Sequence, residues 1–379
     1  MLGHTFLTAF VLLFLAQAAR ADEIRIAWLG RPPVERAPTV LDGPPAKDAG
    51  LAGLRLAVAD NNAGGRFVGQ SFRLVEAAPG PGLAEKLARD GIRFVVADLP
   101  AADLLTLADS LKDAVLFNAG AEDDSLREKD CRANLLHTLP SRAMQADALA
   151  QVLVRRNWKK WAMLVGPAPE DQSRAAAIRR AARKFGAKIV AEKPWTYTRD
   201  AQRNAEGEVA LLTRDWSYDV LMVADETDEF GDLAVFNTFD PRPVAGTQGL
   251  SASAWHPAHD QWGATQAQNR FRAQAGRAMA ERDFAAWVAG RAVGEAAMRA
   301  KSADPERIAA MLRDPDFALP VYKGRTAGFR PWDGQLRQPM LVGWARGVVA
   351  TAPQEGFLHP VTDLDTLGTD RGENACVSR

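Results

Sequence analysis

Acidic residues follow a strand-like segment in the middle of the chain and are the first candidates for chemistry. Residues 218–236 read YDVLMVADETDEFGDLAVF, and the apolar run at the start of this segment predicts a buried strand. Five acids follow the run: Asp225, Glu226, Asp228, Glu229 and Asp232. Carboxylates grouped in this way could bind a hard cation such as Ca²⁺ or a lanthanide. They could equally cap the next helix, because acids are favoured at helix N-termini.

A second group of acids follows two earlier strand patterns. Asp98 comes after the apolar run at 94–96, and residues 118–125 read NAGAEDDS, which places Asn118, Glu122 and Asp123 after another short strand. Ligands of parallel sheets bind beyond the carboxyl ends of the strands, so we expect the two groups to line one cleft. Apposed carboxylates repel each other unless a cation lies between them. The sequence therefore predicts a cationic or metal-bound ligand, with Asp123 and Asp225 as metal ligands.

Two tryptophans are further candidates for ligand contact. Trp28 lies near the end of the first strand pattern, and Trp255 follows a later one. A tryptophan there could stack on a ligand or hold an organic cation against its ring. For Trp255 the alternative is packing between the two halves of the chain. Arg31 leaves the first strand on the same side and would suit an anion, which argues against a purely cationic ligand.

Composition excludes several classes of function. The chain has 379 residues, enough for two domains, with 47% hydrophobic and 25% charged residues. Lysine and arginine total 47, as do aspartate and glutamate, so nothing global suggests binding to nucleic acid or to an anionic membrane. The sequence contains no G-x-S-x-G, H-E-x-x-H or Walker motif. We therefore expect no enzyme activity and no catalytic residues.

The first 21 residues are predicted to be a signal peptide. An apolar run at 6–16 is followed by Ala19-Arg20-Ala21, an A-x-A cleavage pattern. The run is too short to span a bilayer comfortably, although a retained anchor is the alternative. Cleavage would make Asp22 the first residue of an exported protein.

The chain has two cysteines, Cys131 and Cys376. In an exported protein a pair of cysteines favours a disulfide, because free thiols are a liability in an oxidising compartment. Two unpaired thiols are the alternative.

Alternating strand and helix patterns predict an α/β protein with two lobes. Strand patterns at 24–29, 72–77, 94–96, 115–117 and 135–139 alternate with helical ones up to Pro140. A second block repeats this order, with a strand predicted over 244–250, and three helices follow between 266 and 312. This alternation is typical of βαβ units and parallel sheets. Because no Gly/Ser linker separates the blocks, we expect a shared hinge.

A family resemblance rests on residues 48–57, which read DAGLAGLRLA, the following DNNAGG at 60–65, and Gly69. The chain resembles the type I periplasmic solute-binding proteins, in the branched-chain amino-acid-binding branch, over nearly its whole length after residue 21. The resemblance implies two Rossmann-like lobes with parallel sheets joined by a three-crossover hinge. It implies a periplasmic protein that closes on a ligand and then docks on an ABC transporter permease in the inner membrane. We expect an N-lobe of residues 22–139 and 264–329, a C-lobe with tail of residues 140–263 and 330–379, and a monomer.

A narrower resemblance rests on SASAWHP at 251–257, FRPWDGQLRQP at 329–339 and LDTLG at 364–368. These segments resemble substrate-binding proteins of ABC transporters associated with PQQ-dependent alcohol dehydrogenase systems. The implied ligand is a small solute of that pathway, and no cofactor is firmly indicated. The alternatives are a calcium- or lanthanide-binding protein of the same system, and a ligand sensor that binds a protein partner. The chain departs from amino-acid binders, which place small hydroxyl residues where Asp98 and Glu122 stand here.

Overall fold

The computed structural model describes residues 22–31, 46–196 and 205–376. The predicted signal peptide, residues 1–21, lies outside this part of the chain. No helix in the described part is long and apolar enough to cross a membrane.

The first lobe is built on a five-stranded parallel sheet with strand order β2-β1-β3-β4-β5. Its strands are β1 (Asp22–Gly30), β2 (Gln70–Ala77), β3 (Phe94–Asp98), β4 (Val115–Asn118) and β5 (Leu135–His137). The inner strands β3 and β4 are buried along their whole length, because helices cover both faces of the sheet. The connecting helices are α1 (Leu51–Gly65), α2 (Leu83–Arg89) and α3 (Ala101–Ser110).

The second lobe repeats this plan with a four-stranded parallel sheet. After α4 (Arg142–Arg155), the strands β6 (Lys160–Val165), β7 (Lys188–Pro194), β8 (Val220–Ala224) and β9 (Val244–Gly246) form the order β7-β6-β8-β9. The accompanying helices are α5 (Pro169–Phe185), α6 (Ala205–Thr213) and α7 (Gly231–Phe236). The strand predicted over 244–250 is too long, because Gly249 turns the chain with a φ of 73°.

The remaining elements complete both lobes. They are β10 (Ser251–Ser253), α8 (Ala264–Ala275), α9 (Glu281–Ala300), α10 (Pro305–Leu312), β11 (Leu319–Pro320), β12 (Thr326–Phe329), β13 (Leu336–Arg337), β14 (Met340–Trp344) and β15 (Gly347–Ala352). Side chains of α8, α9 and α10 pack in the core of the first lobe. Strands β10, β14 and β15 form an antiparallel sheet whose side chains pack in the core of the second lobe.

The motif DAGLAGLRLA serves helix packing. A Cβ atom on Gly53 would lie 1.8 Å from the backbone oxygen of Asp283 on α9, and one on Gly290 would lie 2.6 Å from the Cβ of Ala57. Glycine on both helices therefore allows α1 and α9 to approach closely. This contact fixes the start of α9, which carries residues of the cleft between the lobes.

The predicted α/β architecture with two lobes is confirmed. The lobe boundaries stay a prediction, with differences at two crossovers. Ala252 packs in the core of the second lobe and Ala254 in that of the first, so the chain passes between lobes near residue 253 instead of 263–264. Leu336 packs in the core of the first lobe and Met340 in that of the second, so the chain passes between lobes near residues 338–339 instead of 329–330.

The predicted disulfide between Cys131 and Cys376 is confirmed, with an Sγ–Sγ distance of 2.00 Å and a Cα–Cα distance of 5.7 Å. The described part of the tail, up to Cys376, contacts both lobes. The Gly368 N–H donates to Asp147 on α4, and the Asn374 side chain donates to the backbone oxygen of Arg127 in the first lobe. The tail is thus an additional connection between the lobes.

Replacing both cysteines by serine should lower the free energy of unfolding by ~3–5 kcal/mol, because the disulfide closes a loop of 245 residues. Chemical denaturation of the native and double-serine proteins measures this difference. An unchanged midpoint under oxidising conditions, or recovery of both cysteines as free thiols by non-reducing peptide mapping, would contradict it.

Candidate functional site

A cleft of about 1030 Å³ lies between the lobes. Its first-lobe wall comes from residues after β1, β3 and β4 and from the start of α9, and its second-lobe wall from α4, α5 and the residues after β8, β9 and β10. Predicted site residues on the walls are Glu122, Asp123, Asp225 and Glu226. The structure therefore brings the acids of the two halves to one cleft.

Asp225 caps the start of α7. Its carboxylate accepts hydrogen bonds from the backbone N–H groups of Glu229 at 3.1 Å, Phe230 at 2.8 Å and Gly231 at 2.7 Å. The residue is 1% exposed, so these donors compensate a buried charge. This arrangement matches the capping alternative for the acidic segment.

Glu226 lies between two arginines. Arg142 donates to both of its oxygens at 2.7 and 2.6 Å, and Arg174 Nε donates to it at 2.8 Å. Burial acts to raise the pKa of Glu226, but hydrogen bonds and charges from Arg142 and Arg174 bring it below its ordinary value. Glu226 is therefore ionised and already neutralised by the protein.

Arg174 also joins the two lobes. Its Nη2 donates to Glu122 of the first lobe at 2.7 Å, while its Nε holds Glu226 of the second lobe. Asp123 Oδ1 lies 3.4 Å from Arg142 Nη1, and its side chain is 41% exposed. The acids that were expected to repel across the cleft are thus paired through arginines.

Asp98 has a different role from the other acids. Arg31 Nε at 3.2 Å and Arg282 Nη1 at 2.5 Å both donate to its Oδ1 atom. The two arginine side chains are 35% and 39% exposed and line the cleft, whereas the carboxylate is buried beneath them. At this corner two guanidinium groups share one carboxylate.

Asn118 shapes the loop that carries Glu122. Its side chain donates to the backbone oxygen of Ala121 at 2.7 Å and accepts from the N–H groups of Gly120 and Ala121. The residue is fully buried and does not line the cleft. Asn118 therefore positions the loop, and its predicted contact with ligand stays a prediction.

The two tryptophans lie away from the cleft. Trp255 stacks on Phe284 with ring centroids 4.6 Å apart, which is the packing alternative. Trp28 is 6% exposed and packs in the core of the first lobe, where Gly50 leaves room for its ring. Neither residue contributes to the cleft walls.

The metal site stays a prediction without structural support. Asp123 and Asp225 both line the cleft, but the carboxylate of Asp225 is taken up by backbone N–H groups. In the described ranges, no group of three or more His, Cys, Asp or Glu side chains could hold a metal ion.

Apart from Arg31, sequence reasoning missed the cleft arginines Arg142, Arg174 and Arg282. Arg142 is the first residue of α4 and Arg282 the second of α9. A cation in the first turn of a helix is disfavoured by the helix dipole, so it needs a nearby acid. An arginine in the first turn of a predicted helix was therefore the sequence signal that could have identified Arg142 and Arg282.

Glu281, at the start of α9, was also missed. Its Oε1 accepts from the backbone N–H of Ala254, and it lines the cleft. Burial, and after it the charge of Glu122, raises the pKa of Glu281 to about 7, against the opposing effects of that N–H, Arg174 and Lys323. A carboxyl group that titrates near neutral pH therefore lies on the first-lobe wall.

Replacing Arg174 by methionine should open the cleft, because Glu122 and Glu226 would lose the cation between them. We expect a larger radius of gyration in small-angle scattering and a loss of about 2 kcal/mol of stability. Arg179→Met on the same helix is the matched control, since Arg179 pairs with Glu192 outside the cleft. Identical scattering from both variants would refute the cross-lobe role of Arg174.

The contribution of Glu281 to stability should fall as the pH rises from 4.5 to about 7, because the unfolded chain ionises Glu281 in this range while the folded protein keeps it protonated. Glu281→Gln should remove this part of the pH dependence and stabilise the protein at pH 8 by up to about 3 kcal/mol. Urea denaturation at several pH values measures both effects. Glu306→Gln, at an exposed position on α10, is the control. Parallel pH curves for the Glu281→Gln and native proteins would contradict the raised pKa.

Comparison with known proteins supports the fold. Residues 39–203 match the model of a family described as periplasmic binding protein. None of the curated proteins compared with the chain matches it. A solved periplasmic binding protein from Burkholderia mallei is similar with a TM-score of 0.67 at 18% identity, over 94% of this chain and 99% of that one.

Two further solved structures are similar. A closed leucine-, isoleucine-, valine-, threonine- and alanine-binding protein from Brucella ovis gives a TM-score of 0.72 at 15% identity, over 95% of this chain and 100% of that one. An ABC transporter substrate-binding protein from Desulfitobacterium hafniense in complex with Leu gives a TM-score of 0.67 at 18% identity, over 86% of this chain and 99% of that one. The chain therefore has the two-lobed α/β fold of the type I periplasmic binding proteins.

Proposed function

We propose that the protein is the periplasmic substrate-binding component of an ABC transporter and captures a small solute with an acidic group. Three observations support this function: the two-lobed fold, the match of residues 39–203 to periplasmic binding proteins, and a polar cleft between the lobes. The proposal that the solute has an acidic group rests on one observation, the pair of Arg31 and Arg282 above Asp98.

The arginine pair supports an anionic group because its charge is only partly compensated. Among the described residues, Arg282 donates through Nη1 alone, and Arg31 donates to Asp98 and weakly to the backbone oxygen of Gly120 at 3.4 Å. A guanidinium has five N–H donors, so several remain for a carboxylate on the solute. Glu122 is engaged by Arg174, which leaves Asp98 as the only carboxylate bonded to the pair in the described chain.

The opposite wall supports a donor group on the same solute. Asp232 lines the cleft, and its Oδ2 atom is shielded from solvent without a hydrogen-bond partner among the described residues. Asp228 lies beside it and accepts from Gln248 at 2.9 Å. A solute with both an acid and a cationic or hydroxyl group would satisfy both walls. Amino acids have this character, and the similar proteins from Brucella ovis and Desulfitobacterium hafniense are described with amino acids.

The link to PQQ-dependent alcohol oxidation is the finer part of the proposal and rests on the sequence resemblance alone. Of the three segments that carry it, residues 251–257 reach the cleft through Ser251, Ser253 and His256. The other two bind each other, since Arg330 and Arg337 both donate to Asp365 at 2.8 Å. A ligand specific to that pathway should therefore contact residues 251–257.

Arg282→Gln should weaken solute binding about tenfold or more, because one charge-assisted hydrogen bond to the solute is lost. A thermal-shift screen of amino acids, hydroxy acids, alcohols and aldehydes first identifies the ligands of the native protein. Calorimetry then compares the native protein with Arg282→Gln.

Arg272→Gln on α8, outside the cleft, is the matched control for calorimetry. If only alcohols and aldehydes bind, or if Arg282→Gln leaves the binding of acids unchanged, the proposal of an acidic group on the solute is wrong. The proposal that the protein captures a solute would remain. If no compound in the screen raises the melting temperature, the proposed transport function itself loses its support.

A further inference from the structure

A second cavity, of about 320 Å³, lies in the first lobe beside the segment that leads to the third crossover. Its walls come from β5 and the residues just before it, from Arg313 at the end of α10, from residues 329–334 and from Cys376 of the tail. It shares no lining residue with the cleft between the lobes. A ligand here would lie beside the segment that leads to the third crossover and outside the cleft between the lobes.

The arginines around this cavity differ in whether a carboxylate neutralises their charge. Arg330 pairs with Asp365 at 2.8 Å, and Arg132 pairs with Asp109. Arg313 donates only to the backbone oxygens of Ala309 and Ala133, each at 3.0 Å, and no carboxylate of the described chain forms an ion pair with it. The Arg313 side chain is largely exposed; its partial burial still lowers its pKa, and no nearby acid offsets that effect. Arg313 is therefore the cation at this cavity that has no counter-charge.

The remaining walls are apolar except for the buried carboxylate of Asp333, which accepts from the Gln335 backbone N–H at 2.9 Å and lies 3.8 Å from Arg330. Leu135, Leu136 and Phe329 line the cavity together with Trp332. The Trp332 ring lies beneath the Arg330 and Arg337 guanidiniums, at 5.5 and 5.1 Å from its centroid. Its indole nitrogen is shielded from solvent and has no acceptor among the described residues. Small-molecule sites commonly combine apolar walls with a few polar groups of this kind.

We propose that this cavity is a second ligand site, which takes a small monocarboxylic acid with an apolar body. The carboxylate would bind Arg313, and the apolar body would lie against Leu136 and Trp332. The size of the cavity is at the lower end of the range for small-molecule sites and suits a compound no larger than a single ring with its acid group. This inference goes beyond solute transport, because the ligand would bind outside the cleft, beside the segment that leads to the third crossover.

Benzoate is the probe. Benzamide, which lacks the charge, and acetate, which lacks the apolar body, are the comparison compounds. The indole N–H resonance of Trp332, assigned by its loss in Trp332→Phe, reports binding. We expect a saturable shift with benzoate and affinities about tenfold or more weaker for benzamide and acetate. Arg313→Gln should weaken benzoate binding to a similar degree, whereas Arg307→Gln on the same helix should leave it unchanged.

Two further variants separate this site from the cleft. Arg282→Gln should leave benzoate binding at Trp332 intact, and Ala133→Phe, at an exposed position beside Arg313, should block it. No saturable shift of Trp332 up to millimolar benzoate would overturn the proposal. So would equal binding of benzamide, or loss of the shift in Arg282→Gln but not in Arg313→Gln.

Discussion

The buried guanidinium of Arg127 holds the parts of the hinge together. It donates to the backbone oxygens of Ala121 and Asp123 at 2.9 Å, to that of Leu139 at 2.8 Å, and to the side chain of Gln335 at 2.9 Å. These acceptors belong to the cleft loop after β4 and to the segments that lead to the first and third crossovers. Burial lowers the pKa of Arg127 to about 10, and the acids nearby act in the opposite direction. Because a buried charge is tolerated only when its donors are satisfied, the three segments must keep their relative positions.

The cleft depends on this support, because its charges are balanced by residues from distant parts of the chain. Glu122 sits on the loop that Arg127 holds, and it meets Arg174, which is brought from the second lobe by α5. Asp98 meets Arg282, which is placed by the packing of α9 on α1. Closure therefore does not press bare carboxylates together. It brings acid–arginine pairs into contact, and the net repulsion that would have required a bound cation is largely removed.

The fold could be predicted from the sequence because strand and helix periodicity are local, and each buried strand carries its own apolar pattern. The site could be predicted only in part. Asp225 and Glu226 were found because they directly follow β8, but their partners lie far away in sequence: Arg174 is 52 positions from Glu226, and Arg282 is 184 positions from Asp98. No local sequence pattern predicts a contact between residues that are so far apart in the chain. For Trp255, ligand contact and core packing both predict an aromatic residue at this position, so the sequence cannot distinguish them. The stacking of Trp255 on Phe284 favours core packing.

The tail adds a constraint that three crossovers alone do not provide. It is fastened to the second lobe where Asp147 accepts from Gly368, and to the first lobe through Asn374 and the disulfide at Cys131. Asn374 donates to the backbone oxygen of Arg127, so the tail ends on the same residue that holds the crossovers. A motion that separates the lobes must therefore preserve or break these contacts of the tail. Arg127 is bonded to the cleft loop through Ala121 and to Gln335, which follows the cavity-lining Gly334, so a continuous set of contacts joins the two cavities.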